Sequence, residues 1–124
     1  MQHYTTFWDE RGRPNVALFH FEDYLRDLPG EVKRLAAHLG IAVTDRRAEE
    51  LADEASLERS RSRAADIAPD VHLGLWMDPA RFFRVGTSGQ WATQMTTAQQ
   101  QRYERLIAEI TPPDLVRWMH HGYG

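Results

Sequence analysis

Cysteine is absent from the 124 residues. Disulfides, thiol nucleophiles and cysteine-type zinc sites are excluded with it. There is no run of 18 consecutive apolar residues, so no spanning helix is expected. The opening MQHYTTFWDE lacks a basic stretch followed by an apolar core, so it does not read as a secretory signal. Net positive charge is lacking too: the formal charge is −3. A nucleic-acid binder ordinarily shows the opposite balance. A soluble cytoplasmic protein with neither nucleic acid nor membrane as partner is the expectation. Any anion site must then be local, built from one or two arginines and backbone N–H groups.

What is present suits one domain, 42% hydrophobic and 27% charged. The order reads mostly helical. Residues 2–11 form a short helix stopped by Gly12 and Pro14, and EDYLRDL forms another, with Glu22 and Asp23 placed at its positive end. Between them, Val16 to Phe21 is a compact apolar run rich in strand formers, and it predicts one buried strand near residues 15–21. In PGEVKRLAAHLG, Val32, Leu35, Ala36 and Leu39 recur at helical spacing, with Gly40 as a left-handed stop. Thr44 and Ser56 are expected N-caps. The former opens a helix with Ala48, Leu51, Ala52 and Ala55 inward. Residues 67–95, with two prolines and three glycines, read as a long loop. Thr96 and Gln99 form a capping box for a helix with Tyr103, Leu106, Ile107 and Ile110 inward, and a last helix after Pro112-Pro113 buries Leu115, Trp118 and Met119.

Chemistry-bearing residues are sparse. His120 and His121 are adjacent and point about 100° apart on a helix, and the other four histidines lack the i, i+4 spacing of a helical zinc pair. No metal site is expected. In the run Arg59 to Arg63, Arg61 lies opposite Arg59 and Arg63, which reads as a solvated helix with local ion pairs. The stretch FFRVGTSGQW is different. Arg84 carries a planar donor fork suited to phosphate oxygens. Gly86 and Gly89 permit conformations that aim successive N–H groups at one anion. Thr87 and Ser88 add hydroxyls.

Five segments in register resemble the C-terminal half of the sulfotransferases that use 3′-phosphoadenosine 5′-phosphosulfate (PAPS). PNVALFHFEDYLRDL is similar to the family's strand ending in Tyr-Glu-Asp-Leu, and EVKRLAAHLGI to the helix after it. EASLERS resembles a Thr-Ser-Phe-x-x-Met element, FFRVGTSGQW the Arg-Lys-Gly-x-x-Gly-Asp-Trp signature, and MTTAQQQRYERLIAEI the helix that follows. The resemblance covers roughly residues 7–119. It implies an α/β fold of the P-loop-like sulfotransferase type, of which this chain is a partial domain over residues 1–124. It also implies transfer of a sulfuryl group from PAPS to an acceptor hydroxyl or amine.

Carried over residue by residue, the resemblance puts Arg84, Val85 and Gly86 at the cofactor's 3′-phosphate, Val85 through its N–H alone, and Ser56 and Leu57 near the nucleotide. There are departures. Val85 stands where the family has a basic side chain, and such a charge-assisted hydrogen bond is worth about 1.5–3 kcal/mol. Leu57 replaces the aromatic that packs on adenine, Ala55 the Thr, Ser60 the Met, Phe21 the Tyr and Gln90 the Asp. The family's Lys-bearing phosphate loop and catalytic His have no counterpart among these residues, so no catalytic residue is named. Residues 67–81, with Trp76 and Met77, are an expected wall of an acceptor pocket. A lone apolar strand needs a partner, so a homodimer or a companion chain carrying the N-terminal half is expected. A catalytically incomplete remnant or helical protein-interaction module is the alternative.

Overall fold

The computed structural model describes residues 2–83 and 86–123. Among them the chain is helical throughout, in the order α1 (Gln2–Asp9), α2 (Phe21–Arg26), α3 (Leu28–His38), α4 (Asp45–Glu54), α5 (Leu57–Ser62), α6 (Ala64–Ile67), α7 (Trp91–Gln94), α8 (Thr97–Ile110) and α9 (Pro113–His121), with 3₁₀ turns at Val71–Leu73 and Pro79–Phe82. The helix starts follow local chemistry. Thr44 Oγ1 accepts from Arg47 N at 3.2 Å, and Ser56 Oγ accepts from Arg59 N at 3.3 Å. Thr96 and Gln99 cap each other reciprocally. Each satisfies donors that a helix's first turn leaves open. Gly40, at φ +71°, ends α3, with Ile41 N donating to Ala36 O at 2.8 Å.

The strand expected near 15–21 does not form among the described residues. Residues 16–20 are irregular and only half-buried, and Phe21 already belongs to α2. Side chains replace the missing ladder. Arg34 Nη1 donates to the Leu18 carbonyl at 3.0 Å, with its guanidinium 3.9 Å from the Phe19 ring centroid. His20 Nδ1 accepts from Glu22 N at 3.2 Å and so caps α2. That fixes the neutral tautomer: the proton sits on Nε2, which donates to Met119 O at 3.0 Å. Residues 67–95 are not one loop either. α7 and two 3₁₀ turns interrupt them, the second opened by Asp78, whose carboxylate accepts from Ala80 N at 3.0 Å ahead of Pro79.

Among the described residues α2 packs on α3, α3 on α4, α5 on both α4 and α6, and α8 on α9. The buried apolar set is Trp8, Ala36, Ala48, Ala52, Ala64, Ala68, Ile107 and Leu115. Five of the eight residues read as inward on α3 and α8 are not covered, Tyr103 among them. Leu35, Leu39, Leu106 and Ile110 are exposed while Ala36 and Ile107 are buried. The accessible surface is 9439 Å², whereas a compact monomer of this mass exposes about 6,800 Å². The amphipathic pattern is real, and within this chain only part of each stripe finds a neighbour.

Two anchors tie the ends together. Trp8 Nε1 donates to Asp114 Oδ2 at 3.0 Å, and the Trp8 and Trp118 rings meet at 5.4 Å. Asp23, only 5% exposed, accepts from Arg26 at 3.0 Å and from Tyr123 N at 3.1 Å. The bond from Trp8, with help from Arg11, holds the Asp114 carboxyl below its ordinary range. A depressed folded-state pKa adds stability above the unfolded value and loses it as pH falls through the folded value. Asp114→Asn is therefore expected to remove part of the acid-side decline in stability, measured as the urea midpoint between pH 5 and pH 2. Arg34 pairs with Glu31 through bonds of 2.6 to 3.1 Å, and this hydrogen bonding raises its pKa further and keeps it cationic. Arg34→Met is expected to cost about 2–3 kcal/mol in urea unfolding, because it strips a carboxylate and a carbonyl of their donor at once.

Candidate functional site

The FFRVGTSGQW stretch arrives at the site through the 3₁₀ turn Pro79–Phe82 and leaves through α7. Arg84 and Val85 lie outside the described residues. Gly86 sits at φ +62° against Leu57, the first residue of α5; a Cβ on Gly86 would lie 2.6 Å from Leu57 Cδ2. Only glycine combines this left-handed backbone with so close an approach. Gly89 is left-handed as well, at φ +75°. Ser56, the N-cap of α5, adjoins Leu57. The fold thus brings three of the expected nucleotide residues, Ser56, Leu57 and Gly86, to one place from positions about 30 apart in sequence.

The rest of the turn is fastened by hydrogen bonds. Ser88 Oγ donates to Glu22 Oε1 at 2.6 Å, joining the turn to the first turn of α2. Gln90 Nε2 donates to Thr87 O at 3.1 Å and to Thr87 Oγ1 at 3.2 Å. On the approach side, Arg61 donates from Nε at 3.0 Å and from Nη2 at 2.6 Å to the Phe83 carbonyl. Phe82 packs edge-on against Phe83 at 5.1 Å and against Trp76 at 5.7 Å. Trp91 begins α7 and is exposed. The aromatic support comes from Trp76 instead, whose Nε1 donates to Pro69 O at 2.6 Å. Met77, beside it, is 99% exposed.

An open notch of about 390 Å³ borders the turn, lined by Glu22, Leu25, Arg26, Ser88 and Gly89. A second, of about 490 Å³, is lined by Glu50, Asp53, Glu54, Arg59 and Arg63. Arg59 pairs there with Asp53 at 3.1 Å, the local ion pair expected for this basic run. Arg61 behaves differently from its neighbours, and the sequence reading passed over it. The one available signal was its helical phase: it faces away from Arg59 and Arg63, toward the turn. Glu22, read as a helix-end charge, keeps that place and also receives Ser88.

The comparisons agree on one family. A family model described as "Sulfotransferase domain" matches residues 1–121. A "Glycolipid sulfotransferase" of Mycobacterium tuberculosis (strain ATCC 25177 / H37Ra) is 50% identical over 117 residues, which is 94% of this chain and 36% of that protein. Human "Sulfotransferase 1C2" is 23% identical over 105 residues, 84% of this chain and again 36% of the relative. In fold, the chain superimposes on the crystal structure of mouse sulfotransferase SULT7A1 complexed with PAP with a TM-score of 0.77 at 24% identity, covering 95% of this chain and 43% of that one. The chain spans about a third of the length of the curated relatives it matches. With a family match over nearly every residue, the chain belongs to the sulfotransferase-domain family.

Proposed function

We propose that this chain contributes the donor-nucleotide portion of a sulfotransferase that moves a sulfuryl group from PAPS to an acceptor hydroxyl or amine. The observation that carries the reading is the meeting of Gly86, at φ +62°, with Leu57 and the Ser56 cap. A left-handed glycine pressed on a helix start leaves main-chain N–H groups uncrowded by side chains, which suits a phosphate. Arg84, Val85 and Gly86 are proposed to hold the 3′-phosphate, with Ser56 and Leu57 beside the nucleotide. PAPS brings the activated sulfuryl group, and the chain's part is to bind and orient the donor. Relatives named glycolipid sulfotransferase at 50% identity favour a glycolipid hydroxyl as acceptor. Residues 67–81, with Trp76 and Met77, are a proposed wall for it.

A second polypeptide surface belongs to the same reading. Among the described residues, Leu39, Leu75, Met77 and Ile110 all lie more than half exposed. Large apolar side chains left this exposed are candidates for cover by another surface. We take the cover to be the remaining elements of the family's domain, with a homodimer as the competing arrangement. Light scattering at tens of micromolar separates them: a 14.4 kDa particle supports the first, and twice that mass the second.

The nucleotide site is tested by titration calorimetry with adenosine 3′,5′-bisphosphate. Binding is expected, and Arg84→Ala should weaken it by tenfold to a hundredfold, the equivalent of one charge-assisted contact of about 1.5–3 kcal/mol. Gly86→Ala should weaken it as well, since alanine in this conformation is strained by about 1–2 kcal/mol. Absence of binding at millimolar ligand would overturn the reading.

A further inference from the structure

Two side chains outside the proposed phosphate grip meet the same turn from different helices. Arg61, on α5, places two guanidinium donors on the single carbonyl oxygen of Phe83, at 3.0 and 2.6 Å. Glu22, in the first turn of α2, accepts the Ser88 hydroxyl at 2.6 Å. Phe83 precedes the turn and Ser88 lies within it, so the stretch is held at both shoulders, with Gly86 seated on Leu57 between them. These contacts join residues 22 and 66 positions apart in sequence, so they are tertiary and no part of the turn's own local geometry.

We propose that Arg61 and Glu22 are positioning residues that hold the Gly86–Gly89 turn in its binding-competent form. The proposal rests on the donor-site reading above for its purpose. The physical need is specific. Two left-handed glycines in four residues, at φ +62° and +75°, give a backbone with more accessible states than any other residue type allows. A ligand meeting such a turn binds with an apparent affinity reduced by the fraction of time the turn is correctly shaped. A planar fork on one carbonyl and a charge-assisted bond on one hydroxyl both restrict direction as well as distance. The brace therefore raises the competent fraction without touching the ligand. It also gives Ser88, at a position the family signature leaves variable, a defined task.

The test uses the full chain carrying Arg61→Met, Ser88→Ala or Glu22→Ala, followed by amide hydrogen exchange at Ala92, Thr93 and Met95, whose N–H groups donate to the carbonyls of Gly89, Gln90 and Trp91, with the helix at residues 97–110 as internal reference. Exchange there is expected to quicken about tenfold or more in each variant, with the reference helix unmoved, since Ser88→Ala and Glu22→Ala lose one hydrogen bond to a charged group and Arg61→Met loses two. Glu22→Gln keeps an acceptor oxygen and should restore slow exchange. The dissociation constant for adenosine 3′,5′-bisphosphate should rise by the same factor as the exchange rate and recover in Glu22→Gln. Ser88→Ala changes only an exposed turn position, so it reports on the brace even if a helix substitution impairs folding. Nucleotide binding with turn exchange unchanged in Arg61→Met and Ser88→Ala would overturn the brace and leave the donor site standing. Quickened exchange in the variants, with no nucleotide binding by the unsubstituted chain, would support the brace and overturn the donor-site reading.

Discussion

The guanidinium of Arg34 is the contact on which most of the arrangement depends. It is locked by Glu31 on its own helix, reaches the Leu18 carbonyl, and lies over the rings of Phe19 and Tyr123. One planar cation thereby joins α3, the irregular segment before α2, and the chain's C-terminal end. A carbonyl left bare at Leu18 would otherwise need a strand partner or water. With that carbonyl satisfied, His20 is free to cap α2, and its other nitrogen fastens α9 through Met119. The position of α2 then decides where the Glu22 carboxylate stands. Electrostatic order thus runs from a half-buried cation to a surface turn through a chain of named hydrogen bonds.

The turn itself belongs to no single helix. Its floor is Leu57, at the start of α5; its approach is held by Arg61, one helical turn further along; its middle is tied to α2. Donor proteins for phosphate-bearing ligands often use main-chain amides, which offer direction without a formal charge of their own. That economy suits a chain whose net charge is −3. A long-range positive field is missing, so recognition must be short-range and depends on shape.

Much of the fold was legible because its signals are local. Thr44, Ser56 and the Thr96/Gln99 pair act within three residues of themselves, and each caps where the pattern places it. The strand near 15–21 was misread for the opposite reason. Val16 to Phe21 has the composition of a strand, but a strand is made by a neighbour, and here Arg34, 16 positions away from Leu18, takes the carbonyl. Helix faces were half legible: periodicity identifies the apolar stripe of α8 but cannot say that Ile107 is covered and Ile110 is not. At the site, the glycines and Leu57 were readable from motif spacing. The link from Arg61 to Phe83 was not, since helical phase sets Arg61 apart from Arg59 and Arg63 but does not name the carbonyl it reaches. Arg84 and Val85, the centre of the sequence argument, lie outside the described residues.

Among the described residues alanine supplies five of the eight buried apolar ones, and all five lie between Ala36 and Ala68, on α3, α4 and α6 and just past the last of these. A methyl group between two helices lets their backbones approach closely, and it leaves no slack for a larger side chain. α5 is joined to α4 and α6 by only one or two residues, so it inherits the spacing of that corner. Swelling the corner by even one or two carbons would lift the ledge on which the glycine turn rests. The tolerance of a surface loop to change is therefore governed from beneath, by the smallest side chains in the interior.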